Sequence, residues 1–305
     1  MSLVPMRQLL LEAQRAGYAV CYCEAWNLES YQAVVEAAEE SGAPIITGFN
    51  GGFLAHSRRQ HPERLVYYAG FGIALRDSTV PAAFLLNESD DLDQIERGID
   101  LGFNAVMVEN ERLRGKEYRA LVKQVVERAH RCGVFVEAAV GHLADASAET
   151  EAVPTDPAAA RGFVEETGVD ALAVAVGNVH ILTQGKAAID LERLKDIHAY
   201  VKVPLVLHGG TGISLDERAS YVRAGVAKIN FGTVLKQAYL SALRQKLAAY
   251  EEPMSPHPFL GMGGPEDILM AAREAVKIKV KELLNLCGAT GRAVSPREGQ
   301  GYQKA

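Results

Sequence analysis

Two histidines and one glycine-rich loop stand out as residues able to do chemistry. His180 follows the apolar run ALAVAVG (171–177), and His208 lies within the next, PLVLHGG (204–210). Placed at the ends of consecutive runs, they could point into one bowl. Neutral imidazole is the usual ligand for zinc, cobalt or iron. A histidine so placed also serves to bind substrate or to carry a proton. Glu88 closes AAFLLNE (82–88) and would complete a set of two histidines and one carboxylate. A third histidine, His142, follows VFVEAAVG (134–141). The other five of the eight fall in helical or loop segments, where solvation is the ordinary role.

HGGTG (208–212) is the second signal. Gly209, Gly210 and Gly212 let backbone N–H groups approach an anion, and the helix start that follows offers the positive end of its dipole. Thr211 adds a hydroxyl. The same glycines also suit a plain tight turn. Thr233, ending the run AKINFGT (227–233), would reach the same place. Lys186, in the loop ILTQGKAAID, would either pair with a phosphate or be solvated. No lysine ends a run in a position to form an imine. Lys228 begins its run and is expected to face the opposite end of the strand.

These residues need elements to position them. Eight apolar runs recur: 19–26, 43–49, 82–88, 105–110, 134–141, 171–177, 204–210 and 227–233. Their mean spacing of about 30 residues is that of one βα unit. The runs are nearly continuous in Val, Ala, Leu and Ile rather than alternating, as in parallel strands covered on both faces. Between them lie helix signals. TDPAAARGFVEETG opens with Asp156-Pro157 and closes with Gly168; SLDERASYVRAG runs from Ser214 to Gly225.

Eight such units close into a (β/α)8 TIM barrel, with an open doubly wound sheet as the other arrangement. The expected domains are a barrel over 1–250, opened by an amphipathic helix, and a C-terminal extension over 251–305. In that extension a loop and a helix near 265–287 would pack on the barrel or on a partner subunit. In a barrel the active groups sit at the C-terminal ends of the strands. The polar residues there are Glu24, Trp26, Asn50, Asn87, Glu88, Glu109, Asn110, His142, Asn178, His180, His208, Asn230 and Thr233.

The chain has 32 basic and 38 acidic residues, so a basic nucleic-acid face is excluded. It has no 18-residue apolar span, and none of its four cysteines (Cys21, Cys23, Cys132, Cys287) forms a CxxC pair. Reduced, buried thiols in a cytoplasmic protein are the expectation.

Taken together, TDPAAARGFVEETGVDALAVAVGNVH, PLVLHGGTGI and VAKINFGT resemble the class II, metal-dependent family of fructose-bisphosphate and tagatose-bisphosphate aldolases. NLESYQAVVEAAEESGAPIIT, GFNAVMVEN, VEAAVG and the tail AREAVKIKVKELLNLCGATGRA fit the same family. By position, His180 and His208 then match two of the three histidines on the catalytic zinc. Gly209, Thr211 and Gly212 match the phosphate loop, Asn230 a contact to the triose portion, Thr233 a phosphate donor and Lys186 a loop lysine. The chain also departs from the pattern. The family reads His-Leu-Asp-His-Gly at the end of its third strand, where this chain has Leu85, Leu86, Asn87, Glu88 and Ser89. Asn87 thus stands at the position of the acid/base aspartate, and Glu88 at that of a metal histidine. Gly232 and Val234 replace polar or acidic residues of the eighth-strand motif.

The resemblance implies a carbon–carbon lyase that uses a divalent metal, with zinc the expected ion. It would cleave or form an aldol bond in a phosphorylated ketose or related keto compound, through a metal-stabilised enediolate. Glu88 and His142 are the first acid/base candidates; Glu24, Glu109 and Glu137 are the others. A homo-oligomer with a small phosphorylated substrate is expected. Another metal-dependent lyase or isomerase, or a barrel that binds a phosphorylated ligand without turnover, remains compatible with the same residues.

Overall fold

In the computed structural model, which describes residues 2–61, 63–109, 113–145 and 151–293, the apolar runs form one closed sheet. Its strands are β1 (Val20–Glu24), β2 (Ile45–Asn50), β3 (Ala82–Ser89), β4 (Ala105–Val108), β5 (Phe135–Val140), β6 (Ala171–Val174), β7 (Leu205–Leu207) and β8 (Val226–Phe231). Each strand pairs in parallel with its neighbours in sequence, and β1 pairs with β8 to close the barrel. Strands covered on both faces need no alternation, hence the continuous apolar runs.

The helices on the outside are α1 (Met6–Ala16), α2 (Leu28–Glu40), α3 (Gly51–Leu54), α4 (Val66–Ala74), α5 (Leu92–Asp100), α6 (Gly115–Arg131), α7 (Pro157–Thr167), α8 (Leu191–Tyr200), α9 (Arg218–Arg223), α10 (Thr233–Leu247) and α11 (Ile268–Leu286). Local chemistry sets their ends. At α7, Asp156 accepts from Ala159 N at 2.8 Å, Pro157 takes the first turn, and Gly168 ends the helix at φ 69°. The segment from Ser214 departs from its sequence pattern: a short 310 turn, Leu215–Glu217, precedes the six residues of α9.

α1 lies across the N-terminal end of the barrel. Gln14 Nε2 donates to Gly225 O at 3.0 Å, Val4 N donates to Ala82 O at 2.9 Å, and Arg7 pairs with buried Asp170. Met6, Leu9, Leu10 and Ala13 are buried beneath it. The other end is left to the loops. At the seam, α11 packs between α10 and α2 and against β1. Arg273 of α11 pairs with Glu36 of α2 and donates to Gln32 Oε1 at 2.9 Å. Cys21, Cys23 and Cys287 are free and buried there; Cys132 is exposed, because it follows the last turn of α6 at the surface. Among the described residues, no helix is long and apolar enough to cross a membrane.

Between barrel and helices, Phe84 stacks on Phe103 with ring centroids 4.2 Å apart and abuts Gly72 of α4. Removing this fully buried ring leaves a cavity. Phe84→Ala is therefore expected to cost about 3–5 kcal/mol, read as a lower urea midpoint. An unchanged midpoint would contradict this packing.

Candidate metal centre

Glu88 owes its position to a break in the strand rule. Phe84 and Leu86 of β3 face outward; a Cβ on Gly98 of α5 would lie 2.8 Å from Leu86 Cδ2. Alternation would therefore send Glu88 outward as well. Instead the pairing of β3 with β4 shifts register between Leu86 and Ser89, and Glu88 has φ 51°. Such a bulge re-aims a side chain, here into the C-terminal mouth. A left-handed glutamate costs on the order of 1–3 kcal/mol. Partners fix it in place: Asn50 Nδ2 donates to Glu88 Oε2, and His208 Nδ1 lies 3.1 Å from Oε1.

His208 follows β7 and is 3 % exposed. Its second nitrogen, Nε2, lies 2.9 Å from Glu137 Oε1. The other oxygen of Glu137 accepts from Lys228 Nζ at 2.7 Å. Lys228 therefore does not face the far end of the barrel, as its place near the start of β8 suggested. The long side chain of Lys228 reaches across the lumen to Glu137 on β5. Nothing in the sequence pairs these two residues, which stand 91 positions apart.

The electrostatics follow from burial and pairing. Burial alone would lower the pKa of His208, but its two carboxylate partners outweigh it and push it up to about 9. Burial would raise both carboxyls. Glu137 is nevertheless held below the usual carboxylate range by Lys228 and His208. Glu88 is held well below it by the hydrogen bond from His208, the charges of His180 and His208, and a bond from Asn87.

His180 ends a two-residue strand, Val179–His180, which pairs in parallel with Ala144–Asp145 above the barrel. The next residue, Ile181, also has φ 51°. The rings of His180 and His208 are 5.6 Å apart between centroids. Asn178 ties the two segments together. It accepts from Val176 N at 2.9 Å and donates to His208 O at 3.0 Å. One ligand atom from each of Glu88, His180 and His208 lies within 4.8 Å of the others. Two nitrogens and one carboxylate oxygen suit a divalent ion of the zinc, iron or cobalt type, so the residues present fit a metal.

The glycine loop lies beside this cluster. Gly209 has φ 69°, and a Cβ on it would stand 2.2 Å from Val179 O. A Cβ on Gly210 would stand 2.6 Å from Asn230 O. Only glycine lets this loop slide between the His180 segment and β8. Gly210–Gly212 form a 310 turn, and Thr211 Oγ1 accepts from Val234 N at 3.2 Å, which docks the turn on the start of α10. Thr233 is the first residue of α10 rather than the end of β8. Lys186 is exposed, on a loop held beside the turn by Ala187 N donating to Gly212 O at 2.8 Å.

Deeper in the mouth, Asn87 Oδ1, Tyr22 Oη and both side-chain polar atoms of Asn230 are buried without a protein partner. Glu24, at the end of β1, accepts from Lys236 Nζ at 2.6 Å, and burial raises its carboxyl despite that partner. Glu109 is half-buried after β4. His142 is set apart from the ligand cluster. It bridges to Val153 and lines a cavity of about 250 Å³ with Tyr118, Arg119 and Phe163, a lining that includes none of Glu88, His180 or His208. Asn110 lies outside the described residues.

Fold and site define a closed (β/α)8 barrel whose C-terminal mouth brings together three residues, Glu88, His180 and His208, that could hold a metal ion. The sequence model of the fructose-bisphosphate aldolase class-II family matches residues 4–292, and the chain belongs to that family. It is thus a lyase of the class II aldolase type. The YdjI aldolase from Escherichia coli K12 is 29 % identical over 96 % of this chain and 100 % of that one, with a TM-score of 0.79. Two further structures share the fold at lower identity. A putative fructose-1,6-biphosphate aldolase from Coccidioides immitis is 23 % identical, covering 95 % of this chain and 98 % of its own, at a TM-score of 0.80. The fructose-bisphosphate aldolase of Campylobacter jejuni is 18 % identical, covering 94 % and 95 %, at 0.71.

A direct check is metal content by elemental analysis. The wild-type chain is expected to hold about one divalent ion, as a three-ligand catalytic site does, and a His180→Ala, His208→Ala chain none. Glu88→Gln should lower the content as well. Equal content in all three chains would remove Glu88, His180 and His208 as ligands.

Proposed function

We propose that this aldolase makes and breaks a carbon–carbon bond in a phosphorylated ketose or related keto compound, with zinc held by Glu88, His180 and His208. The carrying observation is the convergence of those three ligand atoms within 4.8 Å, beside the glycine turn. When bound, the ion supplies Lewis-acid polarisation of a substrate carbonyl and positive charge for the anion that bond cleavage leaves.

The chain's own residues supply the rest. The Gly209–Gly212 turn and the first turn of α10 meet at Thr211, and a helix start is a ready anion site. A substrate phosphate placed there orients the reacting end, so remote binding energy serves the chemical step. The Thr211 hydroxyl keeps its own proton for that phosphate while accepting from Val234. Lys186 adds a charge at the rim, and Thr233 a hydroxyl. Asn87 and Asn230 present buried polar atoms that a substrate's hydroxyl or keto oxygens would satisfy.

Asn87 cannot transfer a proton as an aspartate does. Glu137 is bound on both oxygens, Glu88 is engaged by His208 and Asn50, and His142 lines a separate cavity. Glu24 is an acid at the mouth, 7 % exposed, with its carboxyl raised by burial and one oxygen paired to Lys236. We assign it the proton at the hydroxyl that becomes the aldehyde. A homo-oligomer belongs to the same reading, on family grounds alone.

The test is product identity with a panel of phosphorylated ketoses and the zinc-loaded chain. Two carbonyl fragments support the reading. An isomer or released carbon dioxide points to another lyase or isomerase, and ligand-induced stabilisation without product to a binding barrel. Thr211→Val is expected to raise KM about tenfold. Glu24→Gln is expected to lower kcat by about 10²–10⁴ with zinc content unchanged; an unchanged kcat would take the proton role from Glu24.

A further inference from the structure

Glu137 and Lys228 are both fully buried, among strands whose interior is ordinarily filled with branched apolar side chains. Such a pair is a poor device for stability. Taking two charges out of water costs several kcal/mol each, and apolar residues of similar volume commonly serve as well or better. Its placement calls for another account.

The geometry supplies one. Glu137 divides its two oxygens between Lys228 Nζ (2.7 Å) and His208 Nε2 (2.9 Å). With Nε2 committed to Glu137, His208 has only Nδ1 for the mouth, and that nitrogen lies 3.1 Å from Glu88 Oε1. A carboxylate on the far nitrogen of a ligating histidine fixes its tautomer and ring orientation and makes it a better ligand. The carboxylate needs a reason to stay ionised in a dry interior, and Lys228 is that reason. The ammonium also lies 5.0 Å from the centroid of the Tyr22 ring, which holds it over a π face.

We propose that Lys228 and Glu137 form a buried positioning pair that sets His208 as an Nδ1 metal ligand. The pair also sets the charge of the site. A divalent ion with Glu88, Glu137 and Lys228 sums formally to +1; without Lys228 the sum is zero. A site that stays positive once filled suits an anionic substrate. Lys228 is thereby a positioning residue, not an imine-forming one, since Glu137 holds its amine.

The inference rests on the metal-centre reading, and one set of measurements tells the two apart. Zinc affinity is measured by chelator competition for the wild-type chain, Glu137→Gln, Lys228→Met and the double variant. Folding is followed by circular dichroism, and histidine tautomers by 15N NMR of the zinc-loaded chains. We expect each single variant to bind zinc about 10–100-fold more weakly. The double variant should be no worse than Glu137→Gln alone, because Lys228 acts through Glu137. The wild-type spectrum should show one imidazole protonated at Nε2 and metal-bound at Nδ1, a form the variants lose. The double variant carries two neutral side chains of similar size, so it tests the idea even where Lys228→Met fails to fold. A wild-type chain that binds no zinc overturns the metal-centre reading and this inference together. A wild-type chain that binds zinc, with a folded Lys228→Met or double variant equal to it in affinity and tautomer, overturns the positioning pair alone.

Discussion

At the centre of the barrel an ammonium and a carboxylate meet 2.7 Å apart, both fully buried, and neither can remain charged without the other. Lys228 comes from β8 and Glu137 from β5, so their contact crosses the lumen instead of following the sheet. His208 just after β7 and Glu88 on β3 hang from that contact in series, and Asn50 on β2 ends the chain. Five strands are thus linked by side chains as well as by their backbone ladder. The apolar layers around them explain why the barrel is stable; this polar chain explains why its mouth has one geometry.

The mouth is also where the backbone leaves its regular conformations. Glu88 and Ile181 both adopt positive φ, and each is or adjoins one of the three residues proposed to hold the metal. Gly209 does so where any side chain would strike Val179. Strain of this kind persists only where the surroundings over-determine it, and it gathers at functional positions. Here the surroundings are visible: Asn50 and His208 hold Glu88, and Asn178 ties the His180 segment to the carbonyl of His208.

The strands were legible because parallel strands buried on both faces write continuous apolar runs, and the caps of α7 because Asp-Pro and Gly act locally. His180, His208 and the glycine turn were legible for a related reason: strand ends can be counted, and a barrel gathers its strand ends in one place. What stayed hidden was direction. Glu88 was expected in the ligand set from its place at a strand end, but not how it gets there: period-two alternation sends it outward, and the register shift with β4 brings it in. Lys228 was misplaced because its strand position fixes its Cα, while four methylenes carry its charge elsewhere. Glu137 was one acid among several candidates until its partners could be seen. Asn178 carries no sequence signal beyond its place in GNVH, since its role lies wholly in main-chain groups brought together by folding.

Closure of the barrel between its first and last strands has a consequence in time. A ribosome releases β5 long before β8, so Glu137 is made 91 residues ahead of Lys228. Until then the half-built barrel has a carboxylate without its counter-ion, and β1 has an open edge. The same strand remedies both, since β8 brings Lys228 inward while its backbone pairs with β1. Completion of the sheet and completion of the ligand geometry are therefore one event, and a chain cut short before residue 228 would lack both at once.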